Sequence, residues 1–345
     1  MRSYGPARVS PGNERTTAEL PNRSTSHFSR PASVVCPIGL HLSMFLAPIE
    51  LLIFSLQHAE METNMDGIAR RGAAPAEPLG PGSVIWRLAG DRTVSLQGAS
   101  CLLMQTAHPS IAAAVFDHSA YDADPTGRLI RTIDSIRRLI YGGQGALDES
   151  QRLFELHKSM KGIDAEGNRY HALHPEAYAW VLATLFDGLV RYRRAINAPV
   201  SEPDRELLYQ DWRQVGAVLG LQPWHLPPNV TEFDEYYETM IAERLQTGRV
   251  FHRMFKTLVM ESAMASPVPY LPNPVWSQLR RPAGSFVRLF AVGLLRPTAR
   301  AQFDMAWNAR DQRRLNRFGT TIRTVNSAVP ARVRLDRIAS AALRS

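Results

Sequence analysis

Hydrophobic residues recur at helical spacing through most of the chain after residue 84. In one such stretch, residues 128–140, the apolar positions that share a helical face are Leu129, Ile130, Ile133, Ile136 and Ile140. There is no sustained alternation of the kind that predicts strands, and no glycine-rich turn between a strand and a helix. The sequence therefore predicts an all-α fold, with one large helical domain and no nucleotide-binding sheet.

Capping residues mark where several of the predicted helices begin and end. Ser201 and Thr231 stand three residues before Asp204 and Asp234, which is the spacing of a helix N-terminal cap. Gly162 follows the apolar stretch around residue 157, and we expect it to close that helix as a C-terminal glycine cap.

The N-terminal residues differ in composition from the rest. Residues 1–35 are rich in Ser, Thr, Pro, Asn and Arg, which is typical of disorder. Residues 36–60 are an apolar segment with three interpretations: an export signal or membrane anchor, a mis-assigned extension upstream of Met61 or Met65, or an ordinary structured segment. On the first interpretation, residues 31–57 associate with a membrane.

The remaining boundaries follow from glycine, proline and charge. A Gly/Pro-rich linker spans residues 61–83, the helical domain spans residues 84–330, and a basic tail spans residues 331–345. The composition leaves localisation open between the cytoplasm and a membrane.

Net charge and cysteine content narrow the class of protein. The chain has a net charge of +8, which suits contact with anions such as a lipid surface, haem propionates or nucleic acid. Its arginines are scattered along helices and no nucleic-acid motif is present, so we expect no nucleic-acid partner. With Cys36 and Cys101 as the only cysteines, metal chemistry would rest on histidine and carboxylates.

His157 stands in the apolar stripe of a predicted helix. Leu153, Phe154 and Met160 share its face, at positions i−4, i−3 and i+3 relative to the histidine. Such an imidazole is either a hydrogen-bonded core residue or a metal ligand, and a five-coordinate haem iron needs one imidazole presented into an apolar slot. His108, at the end of another apolar helix, either caps carbonyl groups or ligates a metal.

A polar strip lies beside the apolar face of residues 128–140. At about 100° per residue, it contains Arg128, Arg131, Thr132 and Ser135. The strip is either a solvated helix flank or a set of donors for bound dioxygen or propionates. A non-haem diiron bundle is not indicated, because its paired Glu-x-x-His motifs are missing.

Three segments in order resemble the mpaB/rubber oxygenase (latex clearing protein) catalytic-domain family. They read LLMQTAHPSIAAAVFDHSAYDADPTGRLIRTIDSI, HKSMKGIDAEGNRY and HPEAYAWVLATLFDGLVRY, and the resemblance covers about residues 80–310. It implies an all-helical protein that binds haem b, with His157 as the proximal ligand and Arg128, Arg131 and Thr132 on the distal side. Rubber-cleaving members split isoprenoid C=C bonds with dioxygen.

Two departures from the family pattern bear on activity. Arg131 stands where the rubber-cleaving members have lysine, and no glutamate lies between Glu77 and Glu149, where they place a base. The sequence thus predicts a haem-b-dependent oxygenase or oxidase, acting with dioxygen on a small apolar substrate that is an isoprenoid or another lipid. The alternatives are a haem-binding sensor or carrier without turnover, and a cofactor-free helical protein at a membrane surface.

Overall fold

The computed structural model describes residues 76–118, 125–164, 166–259 and 273–344. The segments predicted as disordered (1–35) and apolar (36–60), the candidate membrane segment 31–57 and most of the linker lie outside the described residues. Residues 76–83 lead into the first helix, and the Gln214 amide nitrogen donates to the Glu77 carbonyl oxygen at 2.7 Å.

Helices dominate the described chain, which confirms the all-α prediction. The α-helices are α1 (Val84–Ala89), α2 (Gly98–Thr106), α3 (Pro109–His118), α4 (Pro125–Tyr141), α5 (Gly145–His157), α6 (Pro175–Ala195), α7 (Glu202–Val218), α8 (Val230–Thr239), α9 (Arg249–Val259), α10 (Asn273–Gly293), α11 (Pro297–Gln302), α12 (Ala309–Ala328), α13 (Ala331–Arg334) and α14 (Arg337–Ala342). Two 3-10 helices span Arg92–Gln97 and Pro223–His225, and a π-helical turn, Met240–Arg244, extends α8.

Helix α2 lies at the centre of the core, and all of its residues are buried. It packs against α6, α9 and α10. Its small residues permit close approach, and buried polar groups cross to α6: the Cys101 thiol lies 3.2 Å from the Thr184 carbonyl oxygen, and Gln105 donates to the Thr184 hydroxyl at 2.7 Å. The Trp180 indole N–H also donates to the Met104 carbonyl oxygen, at 3.0 Å. Helix α6 is thereby fixed in position over α2.

A bend of 100° separates α3 from the helical run Arg92–Thr106. His108 and Pro109 occupy the bend, and proline suits the first position of α3 because its missing N–H would have no helical partner there. By length and composition, no single helix of the described residues could cross a membrane, while this bent pair could.

A buried arginine network joins α6, α8 and the start of α11. Arg296 donates to Asp187 at 2.8 and 2.9 Å, to Asp234 at 2.7 Å and to Glu238 at 3.1 Å. Its guanidinium carbon lies 4.3 Å from the centre of the Tyr237 ring. Because several carboxylates surround it, the guanidinium is both buried and neutralised.

A short antiparallel hairpin follows α5. Strand β1 (Lys161–Ile163) pairs with β2 (Arg169–His171), although the sequence shows no sustained alternation that predicts strands. The prediction that Gly162 caps a helix is wrong: α5 ends at His157, and Gly162 lies in β1 under the Tyr170 ring. A Cβ at this glycine would lie 2.6 Å from the Tyr170 hydroxyl oxygen, so close strand contact explains the glycine.

The residues predicted as a basic tail pack against the domain. Leu335 forms a β-bridge with Asp91, and Asp336 is buried in an ion pair with Arg137 of α4 at 2.8 Å. Helix α14 also packs against α4. The described part of this tail, residues 331–344, therefore belongs to the helical domain.

Candidate functional site

The site is built on a helical hairpin formed by α4 and α5. The two helices are joined by Gly142, Gly143 and Gln144, and the two glycines permit the sharp reversal of the chain. A Cβ on Gly142 would lie 2.3 Å from the Arg138 carbonyl oxygen, and Gly143 has a positive φ of 51°. So short a connection makes α4 and α5 antiparallel neighbours.

A buried carboxylate fastens the two helices together. Glu149 of α5 is 5% exposed and accepts a short hydrogen bond from the Ser135 hydroxyl of α4. Arg152, one turn along α5, donates to the same carboxylate at 2.5 and 3.0 Å. Burial raises the pKa of Glu149, but the hydrogen bonds from Arg152 and Ser135 outweigh it and hold the pKa below the usual value. Glu149 is therefore a carboxylate at neutral pH. We call these three residues the clasp.

The buried face of α4 is more polar than its hydrophobic spacing predicts. Thr132 and Ser135 are each 4% exposed, whereas Ile133 and Ile136 are only half-buried. The difference has a physical cause: Glu149 from α5 offers the Ser135 hydroxyl a buried acceptor, so this polar side of α4 can turn inward. The predicted polar strip is consequently an internal feature of the hairpin at these two positions.

The clasp sets the register between the two helices. Ser135 of α4 lies opposite Glu149 of α5. At 1.5 Å per residue, Arg128 is roughly 10 Å from Ser135 along α4, and His157 is roughly 12 Å from Glu149 along α5. Because the two helices are antiparallel, both displacements run in the same direction. Thr132 lies between Arg128 and the clasp, roughly 4 Å from Ser135 along the axis. The start of α4 and the end of α5 therefore meet at the same end of the hairpin.

His157 occupies this end of α5 and is 4% exposed. Its Nδ1 lies 2.7 Å from the Leu153 carbonyl oxygen and 2.8 Å from the Tyr178 hydroxyl oxygen. The Tyr178 ring stands edge-on to the imidazole, with 5.6 Å between ring centres. The first turn of α6 thus holds the imidazole from a second side.

These contacts decide which nitrogen of His157 carries the proton. A carbonyl oxygen only accepts hydrogen bonds, so the short contact with Leu153 requires a proton on Nδ1. Burial raises the pKa of Tyr178, so its hydroxyl stays protonated, and its oxygen shares the Nδ1 proton as a second acceptor. In the neutral imidazole, Nε2 then carries the lone pair, and that is the tautomer of a metal-ligating histidine with an oriented N–H.

The apolar residues predicted to flank His157 do lie beside it. Leu153 is buried one turn earlier on α5, and Phe154 is half-buried. Met160 is fully buried but stands beyond the end of the helix, where its backbone N–H donates to the His157 carbonyl oxygen at 3.1 Å. Its own carbonyl oxygen accepts from the Ala172 N–H at 2.9 Å, which ties the histidine to the β-hairpin.

The distal candidates differ in their exposure. Thr132 is buried and Arg131 is exposed, although they are neighbours on α4. Arg128 lies in the same helix, and its side chain is outside the described residues. The hairpin register thus brings the backbone positions of all three towards the end of α5 that carries His157.

A second buried imidazole lies at the bend between α2 and α3. His108 is 3% exposed, and its Nε2 lies 3.2 Å from the Glu176 carboxylate, which also accepts from Arg244 at 2.6 Å. The hydrogen bond with His108 and the charge of Arg244 lower the pKa of Glu176 to about 2, so the carboxylate is ionised and Nε2 must be the donor. Nδ1 of His108 is buried and has no hydrogen-bond partner among the described residues.

Sequence reasoning missed three of these contributors: Tyr178, Glu149 and Glu176. Each acts through a contact between different helical segments, and no local spacing signals it. Glu176 and Tyr178 both belong to the first turn of α6, so this turn supports His108 through one side chain and His157 through the other.

A metal cluster and a cavity are the other features that could form a site in the described residues. Among the described residues, no three His, Cys, Asp or Glu side chains cluster as a metal site. An open cavity of about 520 Å³ is lined by Trp86, Tyr141 and the turn Gly142 to Gln144. It lies at the opposite end of α5, roughly 20 Å from His157 along the helix axis.

Comparisons with known proteins extend over most of the domain. Residues 86–324 match the family described as ER-bound oxygenase mpaB/B′/rubber oxygenase, catalytic domain. The chain is 27% identical over 222 residues to the uncharacterized protein Mb2261 of Mycobacterium bovis, covering 63% of this chain and 79% of that protein. The uncharacterized protein Rv2237 of Mycobacterium tuberculosis is similar to the same extent. No solved structure matches the chain.

Proposed function

The chain belongs to the family of ER-bound oxygenase mpaB/B′ and rubber oxygenase catalytic domains, and from this premise we propose that it is a haem-b-dependent oxygenase or oxidase. The family establishes an oxygenase catalytic domain; the haem, the apolar substrate and the residue roles are our proposal. The observation that carries it is His157, a buried imidazole whose Nδ1 proton is held by the Leu153 carbonyl oxygen.

The donor set of the site suits haem. A haem iron needs one protein ligand, so the lack of a three-residue metal cluster among the described side chains is compatible with it. Nδ1–H donation to a backbone carbonyl leaves the lone pair on Nε2 and fixes the ring orientation. Leu153 and Met160 supply the apolar surroundings that a porphyrin face requires.

Each candidate residue has a distinct role in this proposal. His157 would hold the iron, with Leu153, Phe154 and Met160 against the macrocycle, and Arg128, Arg131 and Thr132 would face the open side. When bound, haem b supplies the redox chemistry by which dioxygen reacts with an organic substrate.

The chain itself contributes orientation, water exclusion and fixed polar groups. The Leu153 carbonyl and the Tyr178 hydroxyl hold the imidazole proton on Nδ1 and prevent the ring from turning. The buried apolar side chains keep water away, which strengthens any hydrogen bond that Thr132 donates to an oxygen bearing partial negative charge. The guanidinium of Arg131 donates hydrogen bonds and has no acceptor atom.

Glu149 does not replace the glutamate base that this chain lacks before Arg128. Its carboxylate already accepts from Ser135 and Arg152, and its lowered pKa makes it a weak base. A reaction that begins with proton abstraction by a carboxylate is therefore disfavoured at this site. We propose instead the oxidation of a small isoprenoid or other lipid by a route that needs no such base.

Dioxygen uptake by the haem-loaded protein with short polyprenyl alkenes tests the proposal, with product masses as the readout. We expect uptake that depends on the alkene and carbonyl-containing products. Thr132→Val should reduce turnover about tenfold or more, while Thr132→Ser retains the hydroxyl and most of the activity.

Two outcomes would replace the proposal. A protein that binds haem but takes up no dioxygen with any alkene would be a sensor or carrier. A protein that is colourless after haem has been added and the unbound haem removed would be a cofactor-free helical protein.

A further inference from the structure

The positive charge of the chain is concentrated near its C-terminus. From Asp304 to Ser345 there are nine arginines and three aspartates, so these 42 residues hold +6 of the net +8. Asp336 is buried against Arg137, and Asp311 is half-buried near Arg288, at 4.0 Å. Within this segment, only Asp304 is an exposed acid among the described residues. The outer surface of residues 304–344 is therefore almost entirely positively charged.

Helix α12 presents part of this charge as an ordered row. Arg310, Arg313, Arg314 and Arg317 follow the spacing i, i+3, i+4, i+7, so they share one face, and all four are exposed. The opposite face, with Gly319, packs into the domain. Arg314 donates to the Ser285 hydroxyl at 3.2 Å, while the other three guanidinium groups make no ion pair with any described residue.

Exposed hydrophobic side chains accompany these arginines. Phe318 is 39% exposed, Val325 41%, Val333 38% and Leu343 47%, and they are half of the large hydrophobic residues exposed in the described part of the chain. Each stands within two positions of an arginine. On α12, Phe318 and Val325 lie along one side of the arginine row, about 70–90° from its centre at 100° per residue. Apolar and cationic groups are thus interleaved on one outer segment.

We propose that the C-terminal basic surface, by which we mean the exposed arginine face of α12 (Ala309–Ala328), docks on an anionic lipid bilayer. A row of guanidinium groups is complementary to lipid phosphates, and each basic residue near an anionic leaflet strengthens binding. Phe318 and Val325, beside that row, can enter the headgroup region and add apolar contact. A nucleic acid would use the charge but has no need of the interleaved aliphatic side chains. The inference does not depend on haem.

Co-sedimentation of the full chain with vesicles tests the proposal. Vesicles of phosphatidylcholine that contain phosphatidylglycerol are compared with vesicles of phosphatidylcholine alone. The test variant combines Arg310→Gln, Arg313→Gln and Arg317→Gln. We expect it to bind the anionic vesicles on the order of 100-fold more weakly than the unmodified chain, with an unchanged melting temperature. Any contribution from residues 31–57 is the same in every variant.

The control variant removes the same charge elsewhere on the surface, through Arg87→Gln, Arg169→Gln and Arg194→Gln. It should keep anionic-vesicle binding within a few-fold of the unmodified chain. Equal losses in the two variants would mean that net charge alone acts and would overturn the assignment to α12. Binding of a short RNA by this surface, with no binding of anionic vesicles, would overturn the choice of lipid.

Discussion

Replacing Glu149 with alanine removes the acceptor at the centre of the clasp between α4 and α5. The Ser135 hydroxyl, 4% exposed, would then be buried without its carboxylate partner. Leaving a buried hydroxyl unpaired costs about 1–3 kcal/mol. The ion pair with Arg152 adds no more than about 0.5 kcal/mol, because the Arg152 side chain is 54% exposed and its charge is screened by water.

We therefore expect Glu149→Ala to lower the free energy of unfolding by about 1–3.5 kcal/mol, which corresponds to a drop in melting temperature of roughly 2–14 °C for a domain of this size. Glu149→Gln keeps an oxygen acceptor for Ser135 and should cost only about 1 kcal/mol. Because the clasp sets the register of the hairpin, Glu149→Ala should also weaken haem binding at His157.

Thermal unfolding followed by circular dichroism measures the stability change. Glu155→Ala is the matched control, since Glu155 is an exposed glutamate on the same helix and its loss should stay within about 0.5 kcal/mol. If Glu149→Ala lowered the free energy of unfolding no more than Glu155→Ala does, the buried hydrogen bond would not hold α4 and α5 together. The clasp would then not set the register between the two helices.

Three further perturbations probe other parts of the structure. Tyr178→Phe removes one acceptor of the His157 Nδ1 proton, so haem affinity should fall about tenfold with a shifted Soret band, while Tyr209→Phe, away from the histidine, should leave both unchanged. Glu176 has its pKa lowered to about 2, so its stabilising contribution is present above its unfolded pKa of about 4 and lost as the pH falls towards 2. The melting temperatures of the unmodified chain and Glu176→Gln should accordingly converge over that pH range, and a gap that persists at acid pH would contradict the pairing. Arg296→Met leaves Asp187 buried with fewer partners and should cost about 3–5 kcal/mol in urea unfolding, and a loss under about 1 kcal/mol would contradict the role of the network.

The helical class and the position of most helices could be predicted from hydrophobic spacing and capping residues. Ser201 does accept a hydrogen bond from the Asp204 N–H, as its spacing predicts. The corresponding prediction for Thr231 is wrong, because Asn229 caps α8 and accepts from the Glu232 N–H. The hairpin β1–β2 could not be predicted, because strands of three residues are too short to show alternation. The sequence predicts the end of α5 too far along the chain for a related reason. Met160 continues the helical spacing, yet its backbone carbonyl bonds to the β-hairpin segment instead.

In the candidate site, too, the residues with a local sequence pattern could be predicted, and those that act through tertiary contacts could not. His157 and its apolar neighbours follow from local periodicity and from family resemblance; in the structure His157, Leu153 and Met160 are buried and Phe154 is half-buried. The support from Tyr178 arises from tertiary contact between α5 and α6, as does that of Glu149 between α4 and α5, and neither leaves a local pattern. For α4, tertiary pairing with Glu149 overrides the apolar stripe and buries Ser135 in place of Ile133.

Haem titration of the purified chain, followed by Soret absorbance, tests whether His157 is the iron ligand. His157→Ala is compared with His108→Ala, which removes the other buried imidazole, and with His252→Ala, which removes an exposed one. We expect that the unmodified chain binds one haem, that His157→Ala loses it, and that His108→Ala and His252→Ala retain it. Full haem binding by His157→Ala, or its loss in His108→Ala alone, would contradict the assignment of His157 as the iron ligand.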